Sequence, residues 1–65
     1  MYFTIYYITE DNQKIKYELL DYIDISNISL YDLKRKITEI ENKFDEHQLN
    51  NAGHYELFIS NEIIN

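Results

Sequence analysis

Residues 2–9 (YFTIYYIT) constrain the fold more than any other segment of the chain. The segment is rich in aromatic and β-branched residues and contains no breaker, which is typical of a β-strand. Successive side chains of a strand point to opposite faces of the sheet. Both faces of this strand therefore receive large apolar or aromatic groups, and the fold has to accommodate them on both sides.

A second strand is predicted after a polar interruption. Residues 10–13 (EDNQ) have turn chemistry, and residues 14–20 (KIKYELL) alternate between charged and apolar side chains. This period of two predicts a half-buried strand that pairs with the first in a hairpin. Residues 21–28 (DYIDISNI) fit either a short strand or an extended connection that packs on the core.

An amphipathic helix is predicted over residues 30–44, or one turn further. Ser29 followed by Asp32 has the spacing of a capping box in its acidic form. Apolar residues then recur at spacings of three and four, which places them on one helical face. They are Leu30, Leu33, Ile37, Ile40 and Phe44. Opposite charges four residues apart add two expected ion pairs, Asp32 with Lys36 and Glu39 with Lys43.

The remainder of the chain predicts a third strand. Residues 45–53 lose the helical periodicity and end in turn formers, and Gly53 is the only glycine. Residues 54–60 (HYELFIS) alternate as a strand, and Ile63 and Ile64 suit a last, short extended piece. No linker or internal repeat divides the chain, so we expect a single domain over residues 1–65.

The predicted order of strand, strand, helix, strand defines a small α+β domain. Helical crossovers are right-handed as a rule, and this favours a third strand parallel to the first. The order resembles the small β-grasp, or ubiquitin-like, architecture over most of the chain. The resemblance is one of element order without a family motif, and a shared architecture does not imply a function.

One helix covers one face of such a sheet, and the hairpin register decides which face that is. A three-residue turn over 11–13 pairs Ile5 with Leu19 and Tyr7 with Tyr17 beneath the helix. The uncovered side chains of the first strand are then Tyr2, Thr4, Tyr6 and Ile8. A loop of two or four residues exchanges the two faces. The uncovered side chains are in that case Phe3, Ile5 and Tyr7.

The uncovered face is the first candidate for partner binding. Tyrosine is amphipathic and enriched in protein interfaces. The predicted interface residues are Tyr2, Tyr6 and Ile8, at the rim of which we expect Lys16, Glu18 and Glu56. Exposed strand edges offer a second route, in which a partner or another copy adds a strand.

The charge balance points to a protein partner with a basic surface. The chain has 12 acidic and 6 basic residues and a formal net charge of −6. Contacts to phosphate and to anionic lipid need Lys and Arg, so direct binding of nucleic acid or of a membrane is disfavoured. After Phe44 every charged side chain is acidic, and this set is the second candidate for partner binding. Its members are Asp45, Glu46, Glu56 and Glu62.

Catalytic and metal-binding patterns are not predicted. A chain without cysteine and with one glycine can form neither a cysteine zinc site nor a glycine-rich phosphate loop. His47 and His54 match no common metal-ligand spacing, and we interpret them as surface or helix-end histidines. No serine or threonine has a nearby histidine to act as its base. We expect a protein that is not an enzyme and binds no cofactor or metal.

Two functions remain open. The first is a small acidic protein that binds and inhibits or regulates another protein. It is similar in kind to phage or mobile-element inhibitors of nucleic-acid-handling enzymes, in which carboxylates imitate phosphates. The second is a structural accessory subunit, either an obligate partner or a homodimer, with its open face permanently buried. Short apolar stretches and the absence of a signal-peptide pattern predict a cytoplasmic location.

Overall fold

The computed structural model describes residues 1–61. These residues form one three-stranded sheet and one helix, which confirms the α+β class. The elements are β1 (Tyr2–Ile8), β2 (Lys14–Tyr22), α1 (Leu30–Asn50) and β3 (Tyr55–Ser60). The strand order is β2-β1-β3. The extended piece predicted at Ile63 and Ile64 lies outside the described residues.

The prediction of a third strand parallel to the first is wrong. Tyr2 lies opposite Tyr22 in β2 and opposite Ser60 in β3, so β1 is antiparallel to both of its neighbours. The reason is that the helix returns the chain to the end of the sheet at which β2 begins, since Tyr7 lies opposite both Ile15 and Tyr55. The crossover therefore connects β2 to β3, and these two strands run in the same direction on either side of β1. The β-grasp resemblance assumed a parallel pairing and is not confirmed.

Two irregularities in the β1–β2 ladder determine which face each side chain of β2 occupies. At each shift of register β2 contains one residue more than β1, first Tyr17 and then Leu20. Such a β-bulge places two consecutive residues opposite one. Tyr17 contacts His47 on the helix side, and Leu20 packs against the core. Leu19 between them lies on the other face, opposite Thr4, and not beneath the helix as predicted.

The faces of β1 follow the first of the two predicted registers. Phe3 and Ile5 are 1% and 0% exposed beneath the helix, so their neighbours in sequence point the other way. The residue pairs predicted for that register are nevertheless wrong. Ile5 lies opposite Glu18, and Tyr7 lies opposite Ile15.

The helix begins where predicted and ends later. The Ser29 hydroxyl accepts a hydrogen bond from the Asp32 backbone N–H (3.2 Å) and donates one to the Asp32 carboxylate (2.9 Å). Ser29 is thereby the N-cap, as its spacing to Asp32 predicted. The helix continues to Asn50, and its last turn brings His47 over the sheet.

Asp21 connects β2 to the helix and replaces both predicted helix-surface ion pairs. Lys36 Nζ lies 2.8 Å and Lys43 Nζ 3.9 Å from Asp21 Oδ2. The hydrogen bond from Lys36 lowers the pKa of Asp21, and the same contact raises the pKa of Lys36. The Asp21 carboxylate on β2 thus pairs with both lysines, and neither lysine forms its predicted pair with Asp32 or Glu39.

The core is small for the number of apolar side chains. Phe3, Ile23 and Ile40 form its centre, and Ile5 is fully buried next to β3. Ten large apolar or aromatic side chains of the described residues remain exposed. Within residues 1–61 no helix has the length and apolar character that crossing a membrane requires.

A candidate protein-binding face

The candidate site is the sheet face opposite α1, which we call the open face. Because side chains alternate along each strand, the ladder pairs assign its residues directly. They are Tyr2, Thr4, Tyr6 and Ile8 of β1, Lys14, Lys16, Leu19 and Tyr22 of β2, and Glu56, Phe58 and Ser60 of β3. The helix of the described chain packs on the opposite side of the sheet and leaves this face uncovered.

Two aromatic pairs order the open face. The ring centroids of Tyr2 and Tyr22 lie 4.5 Å apart, and those of Tyr6 and Phe58 lie 5.6 Å apart with the rings nearly perpendicular. The rings of Tyr22 and Phe58, on the outer strands, cover those of Tyr2 and Tyr6 on the central strand. Tyr2 and Tyr6 are therefore half-buried. Tyr22, Phe58 and Leu19 are 50%, 43% and 42% exposed. The most accessible apolar groups of the face therefore belong to the two outer strands.

The centre of the face is closed to solvent by these neighbours. Thr4 is 3% exposed, and its hydroxyl donates a long hydrogen bond (3.5 Å) to the Phe58 carbonyl. A threonine at this position satisfies its hydroxyl within the sheet. The centre therefore presents a closed apolar surface to an incoming partner.

One end of the face carries charge that is internally balanced. Lys14 Nζ lies 3.0 Å from Glu56 Oε2 and 5.5 Å from the centroid of the Phe58 ring. Cation–π and ion-pair contacts at exposed positions are individually weak. Together they hold the Lys14 side chain across β1 and neutralise Glu56, which leaves Lys16 as the further charge on the face.

The structure brings part of the first predicted set together. Tyr2, Tyr6 and Ile8 share the open face with Lys16 and Glu56. Glu18, which we expected at the same rim, lies on the helix side, where its Oε2 is 3.7 Å from Nδ1 of His47. The bulge at Tyr17 is the cause, because it turns Glu18 to the side opposite Lys16.

The acidic set is not brought together. Asp45 and Glu46 are exposed on α1, and Glu56 lies on the opposite side of the sheet in its pair with Lys14. Glu62 lies outside the described residues. The described members of this set therefore form no continuous acidic surface.

Sequence reasoning missed the three most exposed apolar residues of the face. The alternation of residues 54–60 carried a signal for Phe58, because it opposes Tyr55, Leu57 and Ile59 in that pattern. The sequence carried no signal for Leu19, since the bulge at Tyr17 moves it to the face opposite the one that the simple alternation of β2 predicts. Tyr22 belongs to the segment left undecided between strand and connection.

His47 belongs to an aromatic cluster beneath the end of the helix. Its ring centroid lies 4.9 Å from that of Tyr17 and 4.6 Å from that of Tyr55. The side chain is 9% exposed, and Nε2 has no hydrogen-bond partner among the described residues. His47 fits the prediction of a surface or helix-end histidine by its place in the last turn of α1, although its side chain is largely buried, and His54 is exposed.

Gly53 allows the chain to enter β3 beside this cluster. Its φ is +136°, and a Cβ at this position would lie 2.8 Å from Cε2 of Tyr7. The ring of Tyr7 in turn lies 5.4 Å from that of Tyr55. Burial, followed by the neighbouring tyrosine hydroxyls, raises the pKa of Tyr55.

An open cleft of about 360 Å³ lies at the hairpin end of the sheet. Its lining residues are Tyr7, Ile8, Thr9, Glu10, Asn12 and His54. Within residues 1–61, His, Cys, Asp and Glu side chains form no group of three or more that could hold a metal ion. The cleft borders the open face at Ile8 and adds a concave margin to it.

Comparison of the chain with protein-family models, with curated protein sequences and with solved structures gave no match. A functional conclusion therefore has to come from the geometry and chemistry of the open face itself.

Proposed function

We propose that this is a non-enzymatic protein that binds another protein through the open face and thereby inhibits or regulates it. The observation that carries the proposal is the exposure of Leu19, Tyr22 and Phe58 around a half-buried centre of Tyr2 and Tyr6. Contiguous apolar patches are limited in size on monomeric proteins and often mark interaction sites.

The open face is suited to binding because it is already ordered. The ring pairs Tyr2–Tyr22 and Tyr6–Phe58 restrict the side chains before any partner arrives. Immobilising side chains is one of the main costs of association. Rings that are held by neighbours in a sheet incur less of this cost than free side chains on a loop.

The partner that fits is a protein with an apolar strip and an overall basic surface. The open face has its charged end balanced by the Lys14–Glu56 pair, so the contact itself is mainly apolar. The chain as a whole carries a net charge of −6, which attracts a basic partner at longer range. Such long-range complementarity increases the association rate more than the affinity.

Inhibition by phosphate imitation has less support than inhibition by apolar contact. Imitation needs carboxylates on one surface, and Asp45 and Glu46 lie on the opposite side of the sheet from Glu56. We therefore assign the binding energy to the open face and the steering to the acidic residues.

A permanent accessory subunit is the second candidate function. The small core around Phe3, Ile23 and Ile40 and the ten exposed apolar side chains favour it. Domains near 60 residues bury only about 60% of the surface of their unfolded chain. A subunit of this kind gains stability from its partner, whereas a regulator folds and acts as a free chain.

The test is an affinity capture with variants of the open face. The chain is rich in Ile, Asn, Lys and Tyr, which AT-rich codons encode, so a lysate of a low-G+C bacterium is the starting material. Replacing Tyr22 and Phe58 together by Ser is expected to lower the affinity for the captured protein at least tenfold, that is by about 1.4 kcal/mol or more. Tyr2→Ala and Tyr6→Ala are expected to weaken binding more than they lower the free energy of unfolding.

The matched control is Tyr31→Ser, because Tyr31 is 76% exposed on the helix. It removes an exposed aromatic ring from the other side of the molecule and should bind like the wild type. Equal losses for the open-face and helix variants would contradict the proposal. Circular dichroism of the free chain separates the two functions, because a regulator folds by itself whereas an accessory subunit gains its stability from the partner.

A further inference from the structure

We propose that the outer edge of β3 is an interface for a second copy of this chain, which joins two three-stranded sheets into one continuous six-stranded sheet. The proposal concerns a different surface from the open face and does not depend on the function proposed for it. It rests on the backbone, the side chains and the charges of β3.

The backbone of β3 leaves alternate hydrogen-bonding groups unpaired at this edge. The Ile8 N–H donates to the His54 carbonyl (2.8 Å), so the groups of His54 point towards β1. Antiparallel pairing alternates this direction from residue to residue. The N–H and C=O groups of Tyr55, Leu57 and Ile59 therefore point away from β1, and no strand among residues 1–61 lies on that side.

These groups are self-complementary about Leu57. A two-fold axis at this residue places Leu57 opposite its own equivalent and Tyr55 opposite Ile59 of the second copy. Each outward N–H then faces an outward carbonyl, as in a regular antiparallel ladder. The side-chain pairs are also favourable, since an aromatic residue lies beside a β-branched one.

The exposure of Ile59 supports this edge as an interface. Ile59 lies on the helix side of the sheet, opposite Phe3, and is still 53% exposed. Half of a large aliphatic side chain is thus left uncovered by its own helix. In the dimer the side chains of the second β3 lie against it.

Only one of the two outer strands has the features that protect natural edge strands from pairing. β2 has two bulges and carries Lys14 and Lys16, and both features discourage pairing with another strand. Its ladder with β1 shifts twice, whereas the β3 ladder is regular from Tyr55 to Ser60. β3 has neither a lysine nor a bulge, so it is the unprotected edge.

The charge distribution permits two copies to meet here although each carries a net charge of −6. The one charged side chain of β3 is Glu56, and Lys14 of the same copy neutralises it. The remaining carboxylates of the described residues lie outside β3. A two-fold axis perpendicular to the sheet also keeps both helices on one side and makes the two open faces continuous.

The experiment measures the molar mass of the full chain by sedimentation equilibrium from micromolar to millimolar concentration. We expect a monomer–dimer equilibrium for the wild type. Ile59→Lys should raise the dimer dissociation constant at least tenfold. The matched control is Ile15→Lys, because Ile15 is 52% exposed on the same side of the sheet at the other edge, and it should leave the constant unchanged.

A cysteine cross-link tests the register without a change of charge. The chain has no cysteine, so Leu57→Cys introduces a single thiol. The two-fold axis places the paired Cα atoms at about 5.5 Å, within the range of a disulfide. Ile59→Cys is the control, since its two equivalents are separated by about 13 Å along the strands.

The sedimentation and cross-linking results together decide whether the β3 edge is the interface. Concentration-dependent dimers that Ile59→Lys disrupts, together with a cross-link at 57 but not at 59, support the interface. A monomer at all concentrations overturns it. So does a dimer that Ile15→Lys disrupts equally, or one that cross-links as readily through 59 as through 57.

Discussion

At the scale of the single residue, His47 shows how the tertiary structure reassigns a side chain. The sequence placed it among polar residues such as Asp45 and Glu46, where a histidine is ordinarily exposed. The late end of α1 instead presses its ring between Tyr17 and Tyr55. Nδ1 lies 3.3 Å from the Asn51 amide, and the buried Nε2 has no partner within the described chain.

Replacing this ring by an apolar one is the first prediction. A buried polar atom without a hydrogen bond costs free energy that an apolar group of the same shape does not. His47→Phe should therefore be neutral or stabilising, by up to about 1 kcal/mol, whereas His47→Ala should destabilise by about 1–3 kcal/mol through lost packing. Urea unfolding of both variants measures this, and a larger loss for Phe than for Ala would refute the explanation.

At the scale of the elements, the sheet and helix are joined by contacts that sequence spacing does not reveal. The spacing of Asp32 and Lys36 fits an ion pair along the helix. In the structure Lys36 forms its ion pair with Asp21 instead. The reason is that β2 extends past its predicted end and brings this carboxylate to the helix. The bulge at Tyr17 acts at the same scale, since it places Glu18 on the helix side.

The second prediction concerns the pH dependence of this link. The hydrogen bond from Lys36 lowers the pKa of Asp21 in the folded chain below the ordinary value of 3.8. Its stabilisation is therefore present above about pH 4 and is lost as the pH falls through the lower folded value. At neutral pH we expect Asp21→Asn to destabilise by about 1 kcal/mol or less, as partly exposed ion pairs do.

Urea unfolding at pH 7 and near pH 2.5 measures this effect. The difference between the wild type and Asp21→Asn should shrink at the lower pH. Glu10→Gln is the control, because Glu10 has no ion pair among the described residues. A difference that is the same at both pH values would show that the carboxylate charge does not contribute.

At the scale of the whole molecule, the core is barely sufficient for the fold. Ile40 is the one buried residue of α1, and it meets Phe3 and Ile23 at the centre. Stabilities of about 0.05–0.15 kcal/mol per residue imply a margin of roughly 3–10 kcal/mol for a chain of this length. A single cavity at this centre removes a large part of that margin.

Ile40→Ala is the third prediction. Deleting a fully buried Ile typically costs about 2–5 kcal/mol, so the variant should melt far below the wild type and be partly unfolded at ambient temperature. Leu49→Ala is the control, because Leu49 is 86% exposed on the same helix and should change stability by less than about 0.5 kcal/mol. Circular dichroism melts of both variants give the comparison. Similar melting temperatures would show that the core has been wrongly located.

The sequence by itself determined the kinds of elements, their order and the N-cap at Ser29. These depend on neighbours in the chain, namely the aromatic and β-branched content of residues 2–9, the alternation of residues 14–20 and 54–60 and the helical spacing from Leu30 to Phe44. It left two hairpin registers open, and with them the face of β1 that the helix covers, because both faces of that strand carry large apolar or aromatic groups.

Only the tertiary structure decided the direction of β3, the face of Leu19 and the partners of Asp21. Strand direction depends on where the helix returns the chain, and local periodicity does not contain that path. A bulge adds one residue without leaving a mark on the pattern, yet it changes the face of each residue that follows. The open face and its most exposed groups are therefore properties of the folded sheet, although the need for such a face follows from the first strand alone.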